Sequence, residues 1–256
     1  VAYDGTTYAG WQIQADAPTI QGALLRAARG VLGPDVRVTG ASRTDAGVHA
    51  LGQVAALRTA SPLPPPAVRA ALNAALPDDI RVLDVVEAPP GFHARRSAWG
   101  KRYLYLVDND LVASPLLRRY AWHQARPLDV GAMRRALGPL YGRHDFSAFC
   151  AAAGRQTLAT CTVRALHVVR RRRLVALVVS ADRFLHHMVR ILAGSLLAVG
   201  RGARDPGWLA EVLASRDRRR AGPTAPARGL TLLRVLYAAP GGGRLLVSSR
   251  GGAGTR

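Results

Sequence analysis

The stretch of this chain with the most chemistry in it is Gly40-Ala41-Ser42-Arg43-Thr44-Asp45-Ala46-Gly47-Val48-His49-Ala50. It holds a carboxylate, a guanidinium and an imidazole between two short apolar runs, 36–38 and 53–57, that read as strands. A hairpin turn needs only about two to five undemanding residues, so this loop carries more than a turn requires. Asp45 could cap a turn or act as a nucleophile or base, and the residues alone leave these two readings level. Arg43 lies two positions earlier, so in an extended loop its side chain points the same way as that of Asp45. His49 reads as satisfying a backbone carbonyl.

A second group lies further on. Phe184, Leu185, Met188, Ile191 and Leu192 recur at helical spacing, which predicts a long helix over 183–199 with an apolar stripe. His186, His187 and Arg190 fall on the other side of that helix at i, i+3 and i+4. Tyr103 and Tyr105 share one face of a predicted strand, a pattern that on its own favours core packing. Arg95, Arg96, Lys101 and Arg102 crowd the approach to Tyr103, and Arg170 to Arg173 read as a solvated hairpin turn.

The elements that must hold these groups follow from periodicity. Thr19 caps a helix carrying Ile20, Ala23, Leu24, Ala27 and Val31, which ends at Gly33-Pro34. Strands are expected at 1–3, 36–38, 53–57 and 80–86, with a second helix at 67–76. That order is the β-α-β-β-α-β of a ferredoxin-like unit. The later part partly repeats it, with a strand around 103–107, a helix at 130–140, strands at 162–169 and 174–180, helices at 183–199 and 208–213, and a last strand at 230–237. The expected fold class is α+β, two such halves merging antiparallel sheets around a central cleft. The halves span 1–96 and 97–239, and the Gly-rich 240–256 reads as a disordered tail.

Composition narrows the partners. The formal net charge is +20, with 36 Lys and Arg against 16 Asp and Glu, which points to an acidic partner such as nucleic acid. Only Lys101 among the 36 cations is a lysine, so part of this arginine richness is compositional drift. Two cysteines, Cys150 and Cys161, make neither a disulfide framework nor a zinc site. His186 and His187 are adjacent rather than four apart, which argues against a zinc helix, and no phosphate-binding Gly-x-x-x-x-Gly-Lys loop occurs. No apolar run reaches the ~18 residues of a membrane span, and the start, Val1-Ala2-Tyr3-Asp4-Gly5, lacks the basic-then-apolar pattern of a signal peptide. The absence of an initial Met suggests that further residues precede Val1, and the cytoplasm is the expected location.

Several segments together resemble the tRNA pseudouridine synthase A family along nearly the whole chain. These are Val1-Ala2-Tyr3-Asp4-Gly5-Thr6 with Gly10-Trp11-Gln12-Ile13-Gln14, and Arg43-Thr44-Asp45-Ala46-Gly47-Val48-His49-Ala50. Further on come Gly91-Phe92-His93-Ala94-Arg95, Lys101-Arg102-Tyr103 and Asp145-Phe146-Ser147-Ala148-Phe149. His186-His187-Met188-Val189-Arg190 and Ala225-Pro226-Ala227-Arg228-Gly229-Leu230 complete the set.

The resemblance implies that the chain isomerises uridine to pseudouridine at positions 38 to 40 of the tRNA anticodon arm, as a homodimer, with neither cofactor nor metal. It makes Asp45 the catalytic aspartate, acting by a covalent or a glycal route that the sequence leaves open. A carboxylate buried against a nucleobase needs a cation beside it, and the family motif offers Arg190. Tyr103 becomes the active-site tyrosine, stacking on the extruded uracil and assisting loss of the C5 proton. Arg43 would hold the target nucleotide, and Arg95, Arg96, Lys101 and Arg102 would contact RNA. Ser42 departs from the family's usual glycine, which would strain the backbone if a positive φ were required there. The competing reading is a non-catalytic RNA-binding protein on the same fold, with charge and strand aromatics but no use for Asp45. A weaker third reading is a nucleoid-type DNA binder.

Overall fold

The computed structural model of the chain describes residues 1–151 and 159–238, together with the backbone of 244–245. Strand β1 (Ala2–Tyr3) leads to helix α1 (Ile20–Leu32), whose first turn is capped by the Thr19 hydroxyl accepting from the Gly22 amide at 3.2 Å. Ile20, Ala23, Leu24, Ala27 and Ala28 are buried, and Leu32 rather than Val31 completes the stripe. Gly33, at φ 100°, ends the helix in a conformation that favours glycine.

The next segment is more than a hairpin. Strands β2 (Arg37–Gly40) and β4 (Ala55–Arg58) pair antiparallel in a sheet of their own. Between them the connecting chain supplies β3 (His49–Ala50), which enters the main sheet. The loop that looked like a connection is therefore built into the framework on both sides of Asp45. Gln53 fixes its start, donating to the Ser42 carbonyl at 2.7 Å and accepting from the Ser42 amide at 3.2 Å.

Helix α2 (Pro65–Ala75) opens on proline, which suits a first helical turn. Strand β5 (Ile80–Arg81) is shorter than the expected 80–86. The Asn73 side chain engages both the amide and the carbonyl of Val82 at 2.8 Å, so those groups are not available to a sheet neighbour.

The remaining elements are β6 (Ala98–Asp108), β7 (Trp122–His123), α3 (Val130–Arg135), β8 (Gly142–Asp145), β9 (Thr160–Arg171), β10 (Leu174–Ala181), α4 (Met188–Gly200), α5 (Trp208–Ser215), β11 (Leu230–Ala238) and β12 (Arg244–Leu245). The helix expected over 130–140 breaks after Arg135 and resumes as a 3₁₀ turn at Gly138–Leu140, because Pro139 cannot continue the α-helical ladder. The main sheet runs β5-β1-β3-β11-β6-β10-β9-β8, with β7 on β6 and β12 on β11. Its pairs are antiparallel except β3 with β11 and β6 with β7. This is an α+β fold. Of the residues read as a tail, only 244–245 are described; the others lie outside the described residues.

Arg170 to Arg173 are not simply a solvated turn. Arg170 donates to the Asn109 side-chain oxygen at 2.7 Å and to the Leu128 carbonyl at 3.1 Å. Arg173 donates to buried Asp108 through Nε at 2.6 Å. Burial pushes the Asp108 carboxyl up, but the Arg173 hydrogen bonds and the Ser114 amide together outweigh it and hold the group below the usual carboxylate range. These arginines serve the hairpin's attachment.

Helix α4 is buried almost all round. Segment 222–225 lies against it so closely that a Cβ on Gly194 would come 1.9 Å from the Pro223 carbonyl oxygen. Gly222 donates to the Ser195 hydroxyl at 2.9 Å, and the Ala225 amide donates to the Arg190 carbonyl at 3.1 Å.

Candidate active site

Asp45 is brought to Arg190 from 145 positions away. One wall is the anchored loop, where Thr44 turns inward and its hydroxyl pairs with the Tyr3 hydroxyl at 2.9 Å. Gly10 holds φ 95° so that the chain can pass close beneath, and a Cβ there would lie 2.5 Å from the Thr44 carbonyl oxygen. His49 stands behind the loop. Its Nε2 lies 2.8 Å from the Arg119 carbonyl, and Nδ1 lies 3.1 Å from both the Gly5 amide and the Asp4 Oδ1.

The other wall is the start of α4. The helix begins at Met188 and not at 183, so His186 and His187 do not share a helical face with Arg190. After β10, the Asp182 carboxylate accepts from the Thr162 and Arg183 amides and holds the chain in a turn. His187 then takes a left-handed conformation, φ 59° and ψ 8°, just ahead of the helix. This turn, and not helical spacing, carries both imidazoles toward Asp45.

Around the carboxylate the two oxygens differ. Arg190 donates from Nη1 to Oδ2 at 3.2 Å, while its Nε donates to the Ala225 carbonyl at 2.8 Å, which fixes the guanidinium plane. The His187 Nε2 lies 3.3 Å from the same Oδ2. Among the described residues, only the His186 Nε2 pairs with Oδ1, at 3.9 Å, beyond hydrogen-bond reach. The side chain is 32% exposed. A carboxylate gripped by one oxygen and open at the other is oriented for attack or proton abstraction through the open one. Asp45, His186 and His187 have ligand atoms within 4.8 Å of one another, a grouping that could meet a metal ion, but Arg190 already places a positive charge on Oδ2.

Burial is the main influence on His187 and lowers its proton affinity. Arg190, His186 and Arg218 act the same way, while the charge of Asp45 opposes them. Its folded value therefore lies below the ordinary imidazole value, and the unfolded chain takes up the proton first as pH falls. This group thus removes stability as pH drops through and below about 6.5. His187→Gln is expected to flatten the decline of Tm between about pH 6.5 and 5.5. A slope identical to wild type would contradict that assignment.

Tyr103 and Tyr105 lie on one face of β6, as alternation predicts, and both are buried. Tyr105 donates to the Pro226 carbonyl at 2.8 Å. The Tyr103 hydroxyl pairs with the Ser42 hydroxyl at 2.9 Å, and its ring meets Phe184 edge-on at 4.9 Å. Ser42 has no positive φ, so it carries no strain of the kind its departure from glycine raised. It supplies the hydroxyl that holds Tyr103, a contact no motif announced. Burial, with the charge of Asp45 adding and the Ser42 bond opposing, pushes the Tyr103 phenol up to about 12. The phenol is therefore neutral near pH 7, suited to hydrogen bonding and contact more than to service as a phenolate base.

Arg43 is exposed and makes no ion pair with Asp45. Arg95, Arg96 and Arg102 are exposed and Lys101 is half-buried. Lys101 shares the Tyr103 side of β6, whereas alternation sends Arg102 to the opposite side, so the four do not form one cluster. On the far side of the loop, Gly47 borders a cavity of about 560 Å³ that Arg118, Arg119 and Arg228 also line. Among the described residues no helix is long and apolar enough to cross a membrane.

Comparison with known proteins shows the family to which the chain belongs. A family model described as tRNA pseudouridine synthase matches residues 1–95 and 136–238, which include Asp45 and Arg190. The chain is 49% identical to a Myxococcus xanthus protein named tRNA pseudouridine synthase A, over 92% of this chain and 89% of that one. It is 46% identical to a protein of the same name from Moorella thermoacetica, over 93% and 97%. A Chloroflexus aurantiacus protein, again of that name, is 48% identical over 93% and 87%. With the family model covering most of its length and these identities spanning nearly all of it, the chain belongs to the tRNA pseudouridine synthase family.

Proposed function

We propose that this chain isomerises uridine to pseudouridine in tRNA at positions 38 to 40 of the anticodon stem-loop, as a homodimer in the cytoplasm. The observation that carries the reading is the Asp45 carboxylate, held through Oδ2 by Arg190 and with no hydrogen-bond donor on Oδ1 among the described residues, within a chain of this family. The reaction breaks the bond from ribose C1′ to uracil N1, turns the ring and rejoins it through C5; C5 gives up its proton and N1 gains one, so the product is an isomer. Asp45 serves it through Oδ1, either by bonding to C1′ or by taking the C2′ proton as positive charge develops on the sugar. Arg190 keeps the carboxylate aimed. Tyr103, neutral and pinned by Ser42, backs the uracil, and Arg43 holds the displaced nucleotide by its phosphate.

A paired base must leave its stack to reach Asp45, at a cost of roughly a few kcal/mol that phosphate contacts offset. The +20 charge supports RNA as the partner. Exposed Leu111, Val112 and Leu116 support a second copy, since exposed apolar side chains grouped in this way commonly mark an interface. An unmodified anticodon-arm transcript incubated with the protein is expected to gain pseudouridine at 38 to 40. Tight binding without product would favour the RNA-binding alternative, and product confined to other positions would overturn the site assignment.

A further inference from the structure

Lys101 is the only lysine among 36 cationic residues. It lines a groove of about 260 Å³ together with Arg95, Asp182, Arg183 and Phe184. Among the described residues none of the three cations has an ion-pair partner, and Asp182 is the only acid in the lining. The Asp182 Oδ1 already accepts from the Thr162 amide at 2.8 Å and the Arg183 amide at 2.7 Å. Three positive charges therefore face one space against a single carboxylate that the backbone has engaged.

The state of Lys101 follows. Burial first, then Arg95 and Arg183, hold its ammonium below the ordinary lysine range. A partly desolvated cation with two like-charged neighbours is unfavourable until an anion enters. Phe184 ties the groove to the candidate active site, because its ring also packs on Tyr103. Lys101 and Tyr103 lie two residues apart on one face of β6, or about 7 Å, within the reach of one nucleotide. A compact ammonium with three rotatable donors fits such a niche, where a planar guanidinium would demand more room.

We propose that this groove seats one backbone phosphodiester of the bound RNA beside the extruded uridine, with Lys101 as the central contact and Arg95 and Arg183 flanking it. The assignment rests on the RNA substrate proposed above and adds a definite anchoring point to it. Holding the phosphate next to the target fixes the sugar, so that C1′ is presented to Asp45 without any reading of base identity.

The single lysine provides its own probe. Reductive ¹³C-methylation keeps the positive charge and gives one lysine resonance, identified by its loss in Lys101→Arg. That resonance is expected to move on titration with an anticodon-arm hairpin, and far less with a hairpin carrying neutral methylphosphonates around the target. Lys101→Met is expected to weaken hairpin binding about tenfold and to lower the slope of log K against log salt by about one.

No movement with RNA would overturn the proposal. Movement with inorganic phosphate but not with RNA would also overturn it, by showing a seat for the free anion only. The two readings fail separately. A resonance that responds to RNA in a protein making no pseudouridine leaves the groove standing and removes the enzyme. Pseudouridine formation with an unmoved resonance and an unchanged salt slope removes the groove alone.

Discussion

Asp45→Asn is expected to fold as wild type and to form pseudouridine about 10³-fold more slowly or worse. The amide fills the same space, and its oxygen can still accept from Arg190 where Oδ2 now does at 3.2 Å. With the side chain about a third exposed, little packing changes, so Tm should move by no more than a few degrees. An amide, however, neither bonds to C1′ nor takes a proton from C2′ at neutral pH. The phosphate contacts proposed above lie away from this atom, so Kd for an anticodon-arm hairpin should stay within about threefold. Single-turnover assays with enzyme in excess isolate the chemical step. A rate within tenfold of wild type would remove Asp45 from the reaction, whatever the family.

Much of this site was legible in the sequence because its parts are local. The Arg43-Thr44-Asp45 loop and the Arg190 segment are contiguous motifs, and the Thr19 cap and the β6 alternation follow from side-chain period alone. What was not legible depended on contacts between distant segments. Strand β3 consists of two residues, too few for any periodicity, and exists because β1 and β11 offer it partners on either side. Strand β5 stops early because the Asn73 side chain claims Val82, a polar interaction that apolar alternation cannot reveal.

The helix start was misplaced for a related reason. Phe184 and Leu185 continue the apolar period of α4, yet Asp182 takes the Arg183 amide and His187 takes a left-handed conformation, so the helix begins at Met188. The side-chain period is blind to such a turn. Its consequence is chemical, since it delivers His187 to the oxygen that Arg190 already holds. The Ser42 hydroxyl on Tyr103 is hidden in the same way, as a contact across 61 positions.

Arg190 does two things at once, and replacing it should separate them. Nε secures the guanidinium to the Ala225 carbonyl, on a segment that Gly194 and Ser195 allow to lie flush on α4, and Nη1 holds Asp45. Arg190→Met keeps an unbranched stem but removes both donors, leaving the carboxylate with imidazoles alone and the Ala225 carbonyl without its side-chain partner. The expected loss in kcat is about 10² to 10³, the range for deleting one preorganised electrostatic contact in an active site. Arg190→Lys restores the charge but offers no planar fork, so it cannot serve Ala225 and Asp45 in the same geometry. It should recover part of the loss and remain at least about tenfold slow.

A purely structural arginine would behave differently. Both variants would then lose Tm in proportion to activity, and kcat per folded molecule would stay near wild type. Measuring single-turnover rate and thermal unfolding on the same preparations distinguishes the cases. If Arg190→Met turned over normally once corrected for its folded fraction, the guanidinium would be scaffolding for segment 222–225, and Asp45 would have to act without it.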